Sequence, residues 1–304
     1  MGEEFVRMRF TKEQILLERM APVFQSPTGM ADRRWPVRFL ENAVRWSGLG
    51  SRARKNFLTI QRIEREWELP GLAANLDGFR LLHLSDFHLD FDPELIGRLR
   101  EALGDWEYDV VCLTGDFFDL VFEEKAVDEV ILGDLLSLFS GPVYAVLGNH
   151  DIFRVGEVLE GLGVRVLMNE SGILGGPSGN LTLAGVDDPR LYKTSSVNNA
   201  LKGAKSGGPT ILLAHSPQIF EEAAAGDVDL VLCGHTHGGQ VSLPGQFSLA
   251  SSSDCPRKMV SRDWYFKGMH GYTSHGCGGC KLPFRFNAPA EITLHTLRTA
   301  EAKT

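Results

Sequence analysis

The sequence has 304 residues, of which 43% are hydrophobic and 23% are charged, so the chain can bury a sizeable core without help from disulfides. Its formal net charge of −8 argues against a broad nucleic-acid surface, which needs clustered Lys and Arg, and favours small substrates. No apolar run approaches the roughly 20 residues of a membrane-spanning helix, and residues 1–10 lack the long hydrophobic stretch of a secretory signal. A cytoplasmic location is therefore the default expectation.

Residues 1–56 differ in character from the rest of the chain and are predicted to form a helical extension. Thr11 and Gln14 match a helix capping box, in which the first side chain caps the helix and the second reaches back to it. An apolar cluster follows at residues 15–17. This pattern predicts a short helix that begins near Thr11.

The second half of this extension, residues 32–55, is basic and amphipathic. It contains seven Lys or Arg residues against two acids, interleaved with apolar and aromatic residues such as Trp35 and Trp46. Such a segment could lie on an anionic membrane surface, with its aromatics in the interface and its Arg side chains near lipid phosphates. It could equally be a helix that packs on the domain that follows, because apolar residues of a helix usually face a core.

From residue 57 onward, short apolar runs alternate with helical patterns, which predicts a sheet whose faces are covered by helices. The predicted strands are brief and rich in Leu and Val, and they span residues 80–85, 109–114, 142–147, 181–185, 210–214, 230–233 and 291–297. Apolar residues at helical spacing predict covering helices over 93–103 and 127–139. The chain is therefore assigned to the α/β class, with one domain over residues 57–304.

Polar side chains directly follow five of the predicted strands. An Asp in such a place often only caps a helix, and a single His is usually a structural residue. The carboxyl ends of strands in an open α/β sheet form a common crevice, however, so residues distant in sequence can converge there. Glycines beside the polar residues would allow close backbone approach. The recurrence predicts a functional site built by Asp86-Phe87-His88, Gly115-Asp116, Gly148-Asn149-His150-Asp151, His215 and Gly234-His235-Thr236-His237.

The residue types in these segments suit one kind of chemistry. Carboxylates and imidazoles bind divalent or trivalent metals such as manganese, iron or zinc, whereas these segments offer no thiolate cage. A shared carboxylate can bridge two ions about 3.5–4 Å apart, and such a pair can hold a hydroxide and clamp phosphoryl oxygens during in-line displacement. Phosphoester hydrolysis is the reaction that this set of residues favours.

The motifs D-x-H, GD, GNHD, H and GHxH occur here in order, and in this the sequence resembles the calcineurin-like metallophosphoesterase superfamily. The resemblance covers residues 80–240, and the wider stretch 60–297 is similar to the YkuE-like bacterial branch through segments at 84–88, 234–240, 283–286 and 289–292. It implies a metallophosphoesterase-type fold, a four-layer αββα sandwich with a mixed double sheet.

The same resemblance implies roles for individual residues. Seven side chains would hold two metal ions (manganese, iron or zinc): Asp86, His88 and His237 at the first, Asn149, His215 and His235 at the second, and Asp116 between them as a bridge. A hydroxide bridging the ions would attack phosphorus in line. His150 would lie near the leaving group, where it would stabilise the transition state or donate a proton, and Asp151 would orient its imidazole.

Some features lie outside these motifs, and two of them can be interpreted in two ways. Residues 238–289 are rich in Gly, Ser and Pro and are predicted to run through loops near the site. Cys277 and Cys280 in this stretch could form a third metal site or a redox control, or they could be incidental to a Gly-rich active-site loop. Cys112 and Cys233 lie in apolar runs and are interpreted as buried reduced thiols. Residues 187–190 are interpreted as a turn, although Arg190 could instead contact a substrate phosphate.

The leading hypothesis is an enzyme that hydrolyses a phosphate ester or phosphoanhydride in a small-molecule or lipid-linked substrate. The alternative within this class is a pyrophosphohydrolase such as UDP-2,3-diacylglucosamine hydrolase, a member of related branches, with residues 32–55 contacting the inner face of the membrane. A catalytically silent scaffold would be favoured by losses among His150 and the metal ligands, and the sequence shows none. A nuclease would require a basic track, and the net charge of −8 weighs against it.

Overall fold

The computed structural model describes residues 3–25, 44, 46, 48–119, 127–176, 179–204, 207–243, 247–248, 254–280 and 282–300. Two six-stranded sheets form the centre of the fold. The first contains β1 (Gln61–Leu69), β2 (Arg80–Leu84), β3 (Val110–Leu113), β4 (Val143–Ala145), β5 (Arg165–Val166) and β14 (Glu291–Thr299). The second contains β6 (Glu170–Leu174), β7 (Leu181–Gly185), β8 (Thr210–Leu213), β9 (Leu230–Cys233), β12 (Arg262–Phe266) and β13 (Met269–Thr273). A short ribbon pairs β10 (Ser242–Leu243) with β11 (Phe247–Ser248).

Both sheets are mixed, and each has a parallel centre. The first has the strand order β1-β14-β2-β3-β4-β5, in which β2 to β5 run parallel and β14 is antiparallel to β2. The second has the order β12-β13-β9-β8-β7-β6, with β12 and β6 antiparallel to their neighbours. Residues that follow the parallel central strands therefore emerge at one edge of each sheet.

The α-helices with described bounds are α1 (Glu3–Gln25), α2 (Gly50–Leu58), α3 (Leu95–Leu103), α4 (Glu129–Leu136), α5 (Phe153–Gly161), α6 (Val197–Ala200) and α7 (Phe220–Ala225). Residues 44 and 46 are also helical. Leu95, Leu99 and Leu103 recur every four residues and are buried, which gives α3 its core-facing stripe. Asp128 caps α4, since its side chain accepts hydrogen bonds from the amides of Val130 and Ile131.

The two faces of each sheet bury different cores, because successive side chains of a strand point in opposite directions. Leu82 of β2 packs with Leu99 of α3 on the outer face of the first sheet. Leu81 packs in a core that joins the two sheets and includes Ile211 of β8. Leu212 packs on the outer face of the second sheet, together with residues of α6 and α7. The layers are thus helices, sheet, sheet and helices, which confirms the predicted αββα sandwich with a mixed double sheet.

The predicted strands at 80–85, 109–114, 142–147, 181–185, 210–214, 230–233 and 291–297 are all present, with ends shifted by up to two residues. Cys112 and Cys233 are buried in β3 and β9, as predicted. The stretch 238–289 was predicted to consist of loops, and this is wrong in part, because it also contains the hairpin of β12 and β13. Trp264 of β12 is buried and bonds to Thr273 of β13, so tertiary packing holds this hairpin despite its Gly-rich surroundings.

The predicted N-terminal helix is confirmed, but the prediction that it is short and starts near Thr11 is wrong. Helix α1 spans 23 residues and begins before it, and the Thr11 hydroxyl donates a hydrogen bond to the Arg7 carbonyl one turn earlier, as Thr does inside a helix. Of the segment 32–55, residues 32–43, 45 and 47 lie outside the described residues, and residues 50–55 belong to α2, which buries Ala53 and Phe57. No helix of the described chain is both long enough and apolar enough to span a bilayer.

Helix α1 attaches to the domain through charged side chains. Arg9 is fully buried, pairs with the carboxylate of Asp187, donates to the carbonyl of Asp151 and lies 3.4 Å from the centre of the Tyr192 ring. Glu13, one turn later, accepts a 2.8 Å hydrogen bond from the Phe153 amide. The helix therefore ties the segment after β4 to the segment after β7. The division of the chain at residue 57 stays a prediction.

Candidate metal centre

The structure brings the seven predicted ligands together at the adjacent carboxyl ends of both sheets. Asp86 and His88 follow β2, Asp116 follows β3, Asn149 follows β4, His215 follows β8, and His235 and His237 follow β9. All seven are buried. Residues from opposite sheets meet directly, since the His235 amide donates to both carboxylate oxygens of Asp86 at 3.0 Å.

Four of these side chains surround one point. His215 Nε2 lies 3.2 Å from Asp116 Oδ2, 3.2 Å from Asn149 Oδ1 and 3.1 Å from His235 Nδ1. A metal bound at about 2.0–2.2 Å separates neighbouring ligands by roughly 3.0–3.4 Å, so the spacing suits a metal ion. Because acceptor atoms dominate this group, one proton on His215 cannot satisfy all of it, whereas a divalent cation can.

A second group lies on the other side of Asp116. His237 Nε2 is 3.2 Å from His88 Nε2 and 3.5 Å from Asp86 Oδ1. His88 Nε2 is 3.9 Å from Asp116 Oδ2, the same oxygen that lies beside His215. Asp86, His88 and Asp116 offer ligand atoms that all lie within 4.8 Å of one another. Asp116 therefore belongs to both groups, and the residues present fit a pair of ions.

Hydrogen bonds fix which nitrogen of His215 can bind a metal. Its Nδ1 lies 2.7 Å from the Thr114 carbonyl, which can only accept, so Nδ1 carries the proton and Nε2 keeps the lone pair in the neutral ring. Burial alone lowers the pKa of His215, but the neighbouring carboxylate of Asp116 outweighs burial and raises it to about 10. Burial lowers the pKa of His88 to about 4, which keeps that ring neutral and ready for coordination.

Backbone strain is concentrated at these ligands. Asp86, His88, Asp116, His235 and His237 all have positive φ, between 46° and 71°, in the left-handed region that non-glycine residues rarely adopt. Each such residue costs of order 1–3 kcal/mol, and the cost persists where surrounding structure imposes it. Five of the twelve non-glycine residues with positive φ in the described chain are thus predicted metal ligands, a clustering that points to a functional site.

His150 lies beside this cluster, and its neighbour is Asp119. His150 Nδ1 is 3.0 Å from the Asp119 carbonyl and 3.7 Å from Asp119 Oδ1, and the His150 amide donates to Asp116 Oδ1 at 2.9 Å. Sequence reasoning missed Asp119, although it stands three residues after Asp116.

The Asp151 carboxylate has partners other than the predicted one. It accepts 2.8 Å hydrogen bonds from the amides of Asp116, Phe117 and Gly148, so it braces the two strand-end segments that carry Asp116 and Asn149. The group that contacts the His150 imidazole nitrogen is Asp119, so an orienting role of Asp151 stays a prediction.

The predicted turn at residues 187–190 is confirmed. Asp188 accepts hydrogen bonds from the amides of Arg190, Leu191 and Tyr192, which closes the turn.

Comparison with known proteins agrees with this geometry. The family model for calcineurin-like phosphoesterases matches residues 79–239, more than half of the chain. The chain belongs to the calcineurin-like phosphoesterase family. It is 30% identical over 234 residues to YkoQ of Bacillus subtilis, an uncharacterised metallophosphoesterase, with 71% of this chain and 83% of the relative covered. It is also 30% identical over 234 residues to the phosphodiesterase YaeI of Escherichia coli, with 72% and 82% covered.

The resemblance to YkuE is confirmed at a similar level. This calcineurin-like phosphoesterase is 29% identical over 238 residues to YkuE of Bacillus subtilis, which covers 73% of the chain and 80% of that relative. The family and the two named phosphoesterases identify the chain as a hydrolase that acts on phosphate esters. The His and Asp clusters are the place where such an enzyme could hold metal.

The glycines of this phosphoesterase site are required by close packing. A Cβ atom added at Gly148 would lie 2.1 Å from Asp116 Oδ1, and one at Gly234 would lie 2.3 Å from Asp86 Oδ2. We expect Gly148→Ala to displace Asp116 and to reduce both metal content and turnover. Gly133→Ala is the control, because nothing lies within 4 Å of that position in α4, and it should raise stability by about 0.5–1 kcal/mol. Unchanged metal content and turnover in Gly148→Ala would show that Asp116 is not held as described.

Metal binding should release protons, and more of them at lower pH. With its pKa raised to about 10 beside Asp116, His215 carries a second ring proton, on Nε2, at neutral pH. Burial raises the pKa of Asp86 to about 6, so Asp86 is also protonated in more acidic solution. Because bound metal requires both groups without their protons, zinc affinity should fall as pH drops through about 6. Calorimetry in buffers of different ionisation enthalpy measures how many protons are released when zinc binds. The control variant His270→Gln, on β13, should release the same number of protons as the parent protein. If the parent protein releases no protons at about pH 5, the prediction is wrong.

Proposed function

We propose that the chain hydrolyses a phosphate ester or phosphoanhydride with two metal ions. Asp86, His88 and His237 hold the first ion, Asn149, His215 and His235 hold the second, and Asp116 bridges them. The observation that carries this proposal is the position of Asp116 Oδ2, 3.2 Å from His215 Nε2 and 3.9 Å from His88 Nε2. Manganese, iron and zinc are the ions proposed, because they accept mixed carboxylate and imidazole ligands.

When bound, two such ions supply an acidified water nucleophile and neutralise charge on the phosphoryl oxygens. The residues of the chain align the reacting groups and supply a proton to the leaving oxygen. Asn149 is a neutral ligand that limits the negative charge of the site, while the buried Asp86 and Asp116 supply the anionic oxygens. Water attacks phosphorus in line with the leaving oxygen, and the residues of both sheets hold the phosphoryl group between them.

His150 is the residue proposed to act on the leaving group. Its Nδ1 donates to the Asp119 carbonyl at 3.0 Å, and the Asp119 carboxylate lies 3.7 Å from the same nitrogen. A protonated His150 gives its proton to the leaving oxygen as the bond to phosphorus breaks. Such general acid action is worth about 10²–10⁴-fold in rate.

The leaving group provides the test of this role. We expect His150→Ala to lower kcat by about 10²–10⁴-fold for an alkyl phosphodiester, whose leaving alkoxide needs a proton, and far less for a 4-nitrophenyl diester, whose leaving phenolate does not. His270→Ala serves as the control. Equal losses for both substrates would rule out proton donation by His150, and undiminished turnover would refute its place in the reaction.

The substrate class proposed first is a phosphodiester, since the related YaeI of Escherichia coli is named a phosphodiesterase. A nucleotide-sugar pyrophosphate attached to lipid is the second candidate. It is supported by the basic segment 32–55, in which the described residue Trp46 is 86% exposed, as a side chain that enters a membrane interface would be. This second candidate places the protein at the cytoplasmic face of a membrane.

Vesicle binding separates these two candidates. Replacing Arg33, Arg34 and Arg38 by Glu should abolish sedimentation with vesicles that contain anionic lipid if the segment contacts lipid. Turnover of a soluble diester should be unaffected by the same replacements. If the parent protein does not sediment with these vesicles, the membrane proposal is wrong and the soluble diester remains.

A further inference from the structure

The loop after β13 packs directly onto the first metal-ligand group. The Cys277 amide donates to the Ser85 carbonyl and the Gly278 amide donates to the Asp86 carbonyl, both at 2.8 Å. A Cβ atom added at Gly276 would lie 2.6 Å from Asp86 Cβ, so the loop has no spare room at this point. The loop that carries the C-x-x-C pair is therefore part of the wall of the site.

A buried cation holds this loop in place. Arg285 is fully buried and donates to the carbonyls of Gly276, Gly278 and Ala288, while its Nη2 lies 3.3 Å from His237 Nδ1. One guanidinium thus joins the loop to a predicted metal ligand. Side chains on a loop fixed in this way keep a defined position relative to the ligands.

Cys280 stands at the end of this loop, beside two predicted ligands. Its Sγ and ligand nitrogens of His88 and His237 all lie within 4.8 Å of one another. The thiol also donates to Asp119 Oδ1 at 3.3 Å. On the other side of the buried His88 ring, Nδ1 lies 3.5 Å from the same Asp119 oxygen, so Asp119 stands beside both His88 and Cys280. His88, His237 and Cys280 therefore offer three ligand atoms that are close enough together to hold one ion.

We propose that Cys280 is a further ligand of the ion held by Asp86, His88 and His237, an inference that rests on the proposed function. The His88 and His237 nitrogens are 3.2 Å apart, close to the roughly 3.3 Å between two imidazole ligands of a tetrahedral zinc. Sulfur, two nitrogens and the carboxylate oxygens of Asp86 and Asp116 make a donor set that favours zinc or ferrous iron over manganese or magnesium. Cys280 would thus decide which metal this half of the site prefers.

Coordination by Cys280 has a simple proton balance. The S–H bond breaks, its electron pair forms the bond from sulfur to the metal, and the proton passes to the Asp119 carboxylate that already accepts from the thiol. Asp119 then returns the proton to solvent. No oxidant or reductant takes part, and Cys277, which is buried and donates to the Glu291 carbonyl, has no role in the step.

Cobalt substitution tests this proposal. Bound Co²⁺ gives visible d–d bands from any of its ligands, whereas a thiolate ligand adds a charge-transfer band in the near ultraviolet. We expect both in the parent protein loaded with Co²⁺. Cys280→Ser should lose the charge-transfer band and keep the visible bands, and Cys277→Ser, on the same loop, should keep both. In competition between zinc and manganese, Cys280→Ser should shift preference toward manganese by about tenfold or more.

The outcomes separate this proposal from the function on which it rests. Visible bands without a charge-transfer band in the parent protein would show a metal centre that Cys280 does not ligate. A charge-transfer band that persists in both Cys280→Ser and Cys280→Ala would assign it to another thiol and overturn the proposal. Absence of all cobalt bands would overturn the metal centre itself. The visible bands of the variants also report that the site has folded.

Discussion

Asp116→Asn is expected to remove both metal ions together and to lower kcat by about 10³-fold or more. Asp116 Oδ2 is the one oxygen shared by the two ligand groups, and a neutral amide there loses the charge that draws the ions together. Without the ions, the transition state loses several kcal/mol of charge stabilisation, and each 1.4 kcal/mol or so lowers the rate about tenfold. Metal content measured by mass spectrometry and turnover of a 4-nitrophenyl diester are the two readouts.

The control for this change is Asp105→Asn, whose side chain is 93% exposed in its ion pair with Arg62. That variant should keep full metal content and full turnover. If Asp116→Asn retains two equivalents of metal, the bridging role is wrong. If it loses one equivalent and keeps the other, the two groups bind independently.

Arg9→Met is expected to lower the free energy of unfolding by about 3–5 kcal/mol, the usual cost of breaking a buried ion pair on one side. Arg9 and Asp187 both have fully buried side chains, so removing the guanidinium leaves the Asp187 carboxylate without its cation and away from water. The Asp151 carbonyl and the Tyr192 ring lose a partner as well. Chemical denaturation measures the change.

Two further variants show whether the charge is the cause. Arg7→Met, on the same helix and exposed, should change stability by no more than about 0.5 kcal/mol. Combining Arg9→Met with Asp187→Asn should recover part of the loss, because the double variant no longer buries an unpaired charge. Equal stability of Arg9→Met and the parent protein would mean that the buried pair of Arg9 and Asp187 contributes nothing to the stability of the domain.

The ligand groups could be predicted from the sequence because each follows an apolar strand, and parallel strands bring such residues to one edge. His215 illustrates this: it is a single His with no motif around it, yet its place after β8 puts it 3.2 Å from Asp116. Asp119 could not be assigned in the same way. Its approach to His150 depends on how the segment after β3 turns, and neither spacing nor composition determines that turn.

Contacts between distant parts of the chain were beyond the reach of the sequence. Arg9 and Asp187 are 178 residues apart, and an Arg on a helix normally lies in solvent, so nothing local marks it as buried. The hairpin of β12 and β13 was missed for a related reason: β13 pairs with β9, and this pairing stabilises strands that the Gly-rich sequence around them does not favour.

Strand β14 has a consequence for how the protein is made. It lies between β1 and β2 in the first sheet, and the ribosome delivers it after every other described strand. Its first residue, Glu291, bonds to Gly276, so the loop bearing Cys280 also depends on it. Until β14 arrives, nascent chains leave the edges of β1 and β2 open to strands of other molecules. We therefore expect folding to be slow, because the pairing of β14 depends on contacts between distant parts of the chain. We also expect the nascent chain to need protection from aggregation until β14 has been made.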